Sequence, residues 1–141
     1  MAGYQHILIA VDLEEGATQL LSKAQTIANA AQLHLVHVEE HPVTGYGDVT
    51  GHNHSVNEMQ IRQTVYPQLS ALADSYGIPH ANLHITFGDP AYEVHQLANT
   101  LNADLIVTGS HGKHGLKRFL GSTSSSIHDG AKRDVLSIYT G

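Results

Sequence analysis

The chain has no cysteine and no tryptophan, and only two phenylalanines and four prolines in 141 residues. Without cysteine, disulfides and thiol chemistry are excluded, which fits a reducing compartment. Cations are scarce as well: seven Lys plus Arg stand against 13 Asp plus Glu, a formal charge of -6. A general nucleic-acid binder neutralises phosphates with many cations, so that class is set aside and any phosphate recognition must be local. No apolar run approaches the roughly 20 residues of a membrane span. The start, Met1 to His6 (MAGYQH), has neither the basic segment nor the apolar segment of a secretion signal. The expectation is one cytoplasmic domain over residues 1–141 with no membrane partner, burying roughly 68–70% of the surface of its unfolded chain.

Histidine is what the chain has in excess, with 12 residues. Protonating all of them would carry the formal charge from -6 to +6, so solubility should depend on pH. They are scattered, and a metal centre needs convergence. His52 and His54 form a His-x-His pair with His41 in the same segment, and extended backbone would put the pair on one face. Two histidines fall short of a four-ligand structural site, so no metal-binding residue is assigned.

The hydrophobic pattern alternates between two periods. His6 to Val11 (HILIAV) is a continuous apolar run ending at Asp12, as expected of a strand buried on both faces of a parallel sheet. Ala17, Leu20, Leu21, Ala24, Ile27, Ala28 and Ala31 then follow the spacing of an amphipathic helix. Leu33 to Val38 alternates as a second strand, with Leu33, Leu35 and, by the same alternation, His37 on one face and His34, Val36 and Val38 on the other. His41 to Ser55, with three glycines and a proline, reads as one long loop. Asn57 to Tyr76 carries a helical stripe that Pro67 should kink or restart.

Leu83 to Phe87 makes strand three, and Asp89-Pro90 opens a helix with Asp as N-cap and Pro at its first position. Val94, Leu97, Ala98 and Leu101 give that helix its buried stripe. Asp104 to Thr108 is strand four, a fourth helix runs from Gly121 to about Lys132, and Val135 to Tyr139 is strand five. Five strands alternating with four helices imply right-handed crossovers and a doubly wound, Rossmann-like α/β domain. Ligands in such folds sit beyond the strand carboxyl ends where strand order reverses. That singles out Asp12, the segment after Val38 and the loop after Val107.

That last loop is rich in glycine: Gly109-Ser-His-Gly112-Lys-His-Gly115, then Gly121-Ser122-Thr123. Glycines let backbone N–H groups approach phosphate oxygens without an intervening Cβ, and a following helix adds unpaired N–H groups and a positive dipole end. Gly109, Gly112, Gly121, Ser122 and Thr123 are therefore candidate phosphate ligands. The competing reading is that the glycines shape a turn and Ser122 caps a helix. Asp12 could accept hydrogen bonds from ribose hydroxyls or reach a phosphate-bound Mg²⁺; alternatively, it caps the first helix. Lys113, Lys117 and Arg118 could offset phosphate charge, yet none is assigned a role. His111 and His114 lack an evident orienting partner, and no catalytic residue is named.

With these residues in view, the chain resembles the universal stress protein family, in its short single-domain bacterial universal stress protein A type. The resemblance runs from HILIAVD through LVHVEE, Gly88 to Pro90 and DLIVTGSHGKHGLKRFLGST to DVLSIY. The family's nucleotide binders carry Gly, two residues, Gly, nine residues, then Gly and Ser or Thr. Gly109, Gly112, Gly121 and Ser122 match, with eight residues, Lys113 to Leu120, between the second and third. The resemblance implies strand order 3-2-1-4-5. It also implies Ala10, Val11, Asp12 and Val38 near adenine and ribose, and the glycine-loop residues near ribose and phosphates. The ligand would be ATP, ADP or AMP with Mg²⁺, and the assembly a homodimer joined through strand five. The implied function is a nucleotide-gated module that binds a protein partner. Two alternatives stay open: a slow ATP hydrolase or autophosphorylating enzyme using Ser122 to Ser126, and a nucleotide-free dimeric scaffold.

Overall fold

The computed structural model describes residues 3–13, 16–40, 52–110 and 132–140, with the side chains of residues 52–57 and 110 excepted. Five strands form one parallel sheet: β1 (Ile7–Ala10), β2 (Leu33–Glu39), β3 (Leu83–Phe87), β4 (Leu105–Ser110) and β5 (Asp134–Tyr139). Their spatial order is β3-β2-β1-β4-β5, as the family resemblance implied. Three α-helices are described: α1 (Ala17–Ala24), α2 (His52–Tyr76) and α3 (Pro90–Leu101). The expected fourth helix lies outside the described residues.

The period of two in the strands sorts the core into two layers. Ile7, Ile9, Val11, Leu33, Leu35, Leu105 and Val107 face α1 and α2, against Leu20, Leu21, Val65 and Leu69. Leu8, Ala10, Val36, Val38 and Ile106 face α3, against Val94 and Ala98. Both faces are covered, which is why β1 reads as an unbroken apolar run. Leu21 and Leu69 are fully buried, and truncating either to alanine costs about 2–5 kcal/mol.

The first helix is shorter than its periodicity. It ends at Ala24, because the Thr26 hydroxyl donates to the Lys23 carbonyl at 2.6 Å while the Thr26 and Ile27 N–H groups reach back only three residues. Ile27, at the continuation of the stripe, is exposed. A short 3₁₀ turn at Ala30–Gln32 then leads into β2, capped by Asn29 with Gln32 bonding back. α2 begins at His52, inside the segment expected to be loop, and it continues through Pro67 without restarting. His52 and His54 thus lie on helical backbone, which removes the reason for placing them on one face. Residues 41–51 of that expected loop lie outside the described residues.

α3 follows the sequence reading closely. The Asp89 carboxylate accepts from the Tyr92 N–H at 2.9 Å, and Asn102 closes the helix in the left-handed conformation. At the other end of the sheet, Asp104 fixes the entry to β1 by accepting from the N–H groups of Gln5 at 2.9 Å and His6 at 3.0 Å.

Candidate functional site

Strand order reverses between β1 and β4, so the connections from their carboxyl ends diverge and leave a crevice. Val11 and Asp12 follow β1 there, and Gly109 lies near the end of β4. Val38 stands one strand away, near the end of β2. The sheet therefore brings Ala10, Val11, Asp12, Val38 and Gly109 to one end of the molecule. Gly112, Gly121, Ser122 and Thr123 lie outside the described residues.

Ala10, Val11 and Val38 are buried, forming the floor beneath the strand ends. Ala10 and Val38 pack toward α3, and Val11 toward α1 and α2. The Val11 N–H donates to the Val36 carbonyl at 2.9 Å, extending the β1–β2 ladder past the last strand residue. Asp12 is partly exposed. It is not the N-cap of α1, since that position belongs to Gly16, whose φ is 81°. The capping reading of Asp12 is therefore set aside.

Gly109 leaves room for a side chain. A Cβ there would meet the Leu20 methyls and Thr140 Cγ2 at 3.6 Å, ordinary van der Waals distance, so packing among the described residues does not demand glycine at this position. A reason outside that packing fits the need of a phosphate or ribose for bare backbone.

Three contacts at this end go beyond the sequence reading, which put His37 on the Leu33 and Leu35 face without naming a partner. His37 is buried on the α1 and α2 side of β2, with Nε2 2.8 Å from Glu39 Oε1 and Nδ1 without a partner. The signal was available in the spacing, because residues two apart on a strand share a face. The Glu39 carbonyl accepts from the Gly88 N–H at 3.0 Å, which locks the turn into α3 against the end of β2. Beside it, the Arg62 guanidinium lies 5.0 Å from the Phe87 ring centre, a cation–π contact between α2 and β3. Only the register between distant segments reveals these last two. Buried Thr108, opposite Ser137 in the β4–β5 row, also leaves its hydroxyl unpartnered.

Residues 3–138 match the model of the universal stress protein family. The chain belongs to that family. This universal stress protein is 37% identical to universal stress protein A homolog 1 of Coxiella burnetii, with 96% of each chain aligned. Its fold superposes on hypothetical protein MJ0577 with a TM-score of 0.75 at 20% identity, covering 99% of both chains. It also superposes on a universal stress protein in complex with cAMP, with a TM-score of 0.64 at 22% identity over 99% of this chain and 100% of the other. At those identities the structural likeness carries the fold. Among the described residues no helix is long and apolar enough to cross a membrane.

Proposed function

We propose that this universal stress protein binds an adenine nucleotide (ATP, ADP or AMP) at the carboxyl ends of β1, β2 and β4, and acts in the cytoplasm as a nucleotide-gated module for a protein partner. The observation that carries the reading is the convergence of Asp12, Val38 and Gly109 on the strand-reversal crevice, with the glycine motif continuing from Gly109. Ala10, Val11, Asp12 and Val38 take the adenine and ribose. Gly109, Gly112, Gly121, Ser122 and Thr123 take ribose and phosphates through backbone N–H groups and hydroxyls. A relative of the same fold was solved with cAMP, which supports an adenine ligand in this architecture.

Mg²⁺ is usually held by one or two carboxylates together with substrate phosphates. Asp12 fits that donor set: it is a partly exposed carboxylate at the crevice. Bound there, the ion would screen phosphate charge. Phosphoryl transfer also needs an oriented nucleophile. No residue is assigned that role, so the module reading stands above the enzymatic one.

The partner surface starts with a second copy of the chain. β5 lies at the sheet edge, and beyond its first residue, Asp134, the strand carries no charge and no proline, the usual protections of a free edge. Leu136 and Tyr139 are exposed along it. Antiparallel pairing of two β5 strands across a two-fold axis would satisfy the outward backbone groups and close the assembly.

Calorimetry tests the nucleotide site. Gly112→Val should abolish ATP binding while melting like wild type; equal ATP affinity in the two folded proteins would overturn the assignment.

A further inference from the structure

Three histidines that the nucleotide site leaves unused gather at the opposite, amino-terminal end of the sheet. His6 directly precedes β1, His34 is the second residue of β2 and His84 the second residue of β3. Val36 pairs with His84, so alternation puts His34 and His84 on the same face, the one that packs against α3. Their rings stack with centroids 5.4 Å apart and planes 24° apart. His34 Nδ1 lies 3.2 Å from His84 Nε2, and the His6 ring centroid is 6.5 Å from that of His34.

We propose that His34 and His84 form an open, two-imidazole site for a divalent transition-metal ion of the zinc, nickel and copper class. Zinc–imidazole bonds of about 2.0–2.1 Å at a tetrahedral angle hold two nitrogens roughly 3.3–3.4 Å apart, close to the spacing already present. The ligands stand on adjacent hydrogen-bonded strands, so little ordering remains to be done on binding. Among the described residues no three His, Asp or Glu side chains group as a closed site, so water completes the coordination. His6 borders the open side.

The chemistry of the pair agrees with the geometry. Burial, joined for His34 by the neighbouring His84 and His6, holds both rings below the ordinary histidine pKa, so both are neutral at pH 7. Neutral imidazole is the ligating form. The shared hydrogen need only move to the outer nitrogen of its own ring, a tautomer change without proton loss. Imidazole favours zinc, nickel and copper over hard, oxygen-seeking Mg²⁺. The site is thereby chemically separate from the nucleotide end, about 13 Å away along β2 if measured from His34 to Val38.

The test uses the whole chain and Zn²⁺ alone. Long-range proton–nitrogen spectra of the imidazoles, recorded as zinc is added, should show His34 and His84 responding at the first equivalent. Calorimetry should show zinc affinity falling at least about tenfold in His34→Gln and in His84→Gln. The double variant His52→Gln/His54→Gln should retain the site, and a large excess of Mg²⁺ should leave it loaded. A first equivalent that shifts other histidines only, unchanged affinity in folded His84→Gln, or displacement by Mg²⁺ would each overturn the proposal. The wild-type spectra decide the matter without any variant having to fold.

Discussion

Gly16 and Thr140 are fitted against each other: a Cβ built on Gly16 would stand 2.9 Å from both the Cβ and the hydroxyl oxygen of Thr140. The first residue caps α1 in the left-handed conformation, and the second follows β5. The start of the first helix and the end of the last strand thus share one contact across the candidate site.

Gly16→Ala should cost about 1–2 kcal/mol from the positive φ alone, with the collision against Thr140 added. Because Thr140 Cβ is itself in the way, Thr140→Ser should give no relief. Thr140→Gly should remove the steric share and leave the backbone share. Denaturant titration of the single and double variants measures both.

Gly109→Ala should behave in the opposite way. Its Cβ has room, and replacing a strand-interior glycine commonly stabilises by roughly 0.5–1 kcal/mol, so melting should hold or rise. ATP affinity should nonetheless fall about tenfold or more if ribose or phosphate lies against that backbone. Calorimetry beside a melting curve separates the two effects; a variant that binds ATP as tightly as wild type would remove Gly109 from the site.

The sequence was most informative where one local rule acted alone. β3 and the Asp89-Pro90 cap appeared where the pattern put them, because alternation and capping need only neighbouring residues. α1 is shorter than its apolar spacing, which continues to Ala31, because the backbone turns at Thr26 through a hydroxyl bond that periodicity does not encode. The start of α2 at His52 is hidden for a related reason: glycines and a proline mark the preceding segment as loop, and helical backbone begins before the first clear apolar stripe. At the site, strand ends were legible from apolar runs terminating in Asp12 and Gly109. The His37–Glu39 contact and the locking of Gly88 onto Glu39 depend on burial and register, which one strand's sequence does not carry.

Stability should rise with pH across the histidine range. His34 and His84 are held below the ordinary value of 6.5, so as pH falls through about 6.5 the unfolded chain gains protons that the folded rings refuse. Their contribution is intact above that pH and declines below it, until the folded rings protonate as well. Denaturation midpoints measured at several pH values should show this slope, shallower in His84→Gln. A second decline belongs to Asp104: burial pushes its carboxyl up, but backbone N–H donors, those of Gln5 and His6 first, outweigh it and leave the group below 3.8. Its contribution is present above that value and lost in stronger acid.

Proline on β5 should separate dimer from fold. Along a strand in parallel pairing, alternate N–H groups point to the neighbour and away from it, so of Ser137→Pro and Ile138→Pro one should disturb the β4 ladder and the other the outer edge. The outer-edge variant should sediment as a monomer while melting near wild type. A wild-type chain that is monomeric at tens of micromolar, with and without nucleotide, would refute the dimer.

The position of β1 governs the order in which the molecule can assemble during translation. Ile7, Leu8 and Ile9 pair with Leu33 to Leu35 on one side and with Leu105 to Val107 on the other, so the first strand made is central and needs a partner almost 100 residues downstream. At about 5–20 residues per second, β1 and β2 wait several seconds after emerging before β4 arrives. Once β3 has followed, a three-stranded half-sheet presents its most apolar strand as an open edge until β4 arrives, the kind of surface that recruits another chain. Ribosome-associated chains ending between β3 and β4 should therefore engage holdase chaperones, and release should coincide with the appearance of residues 105–110.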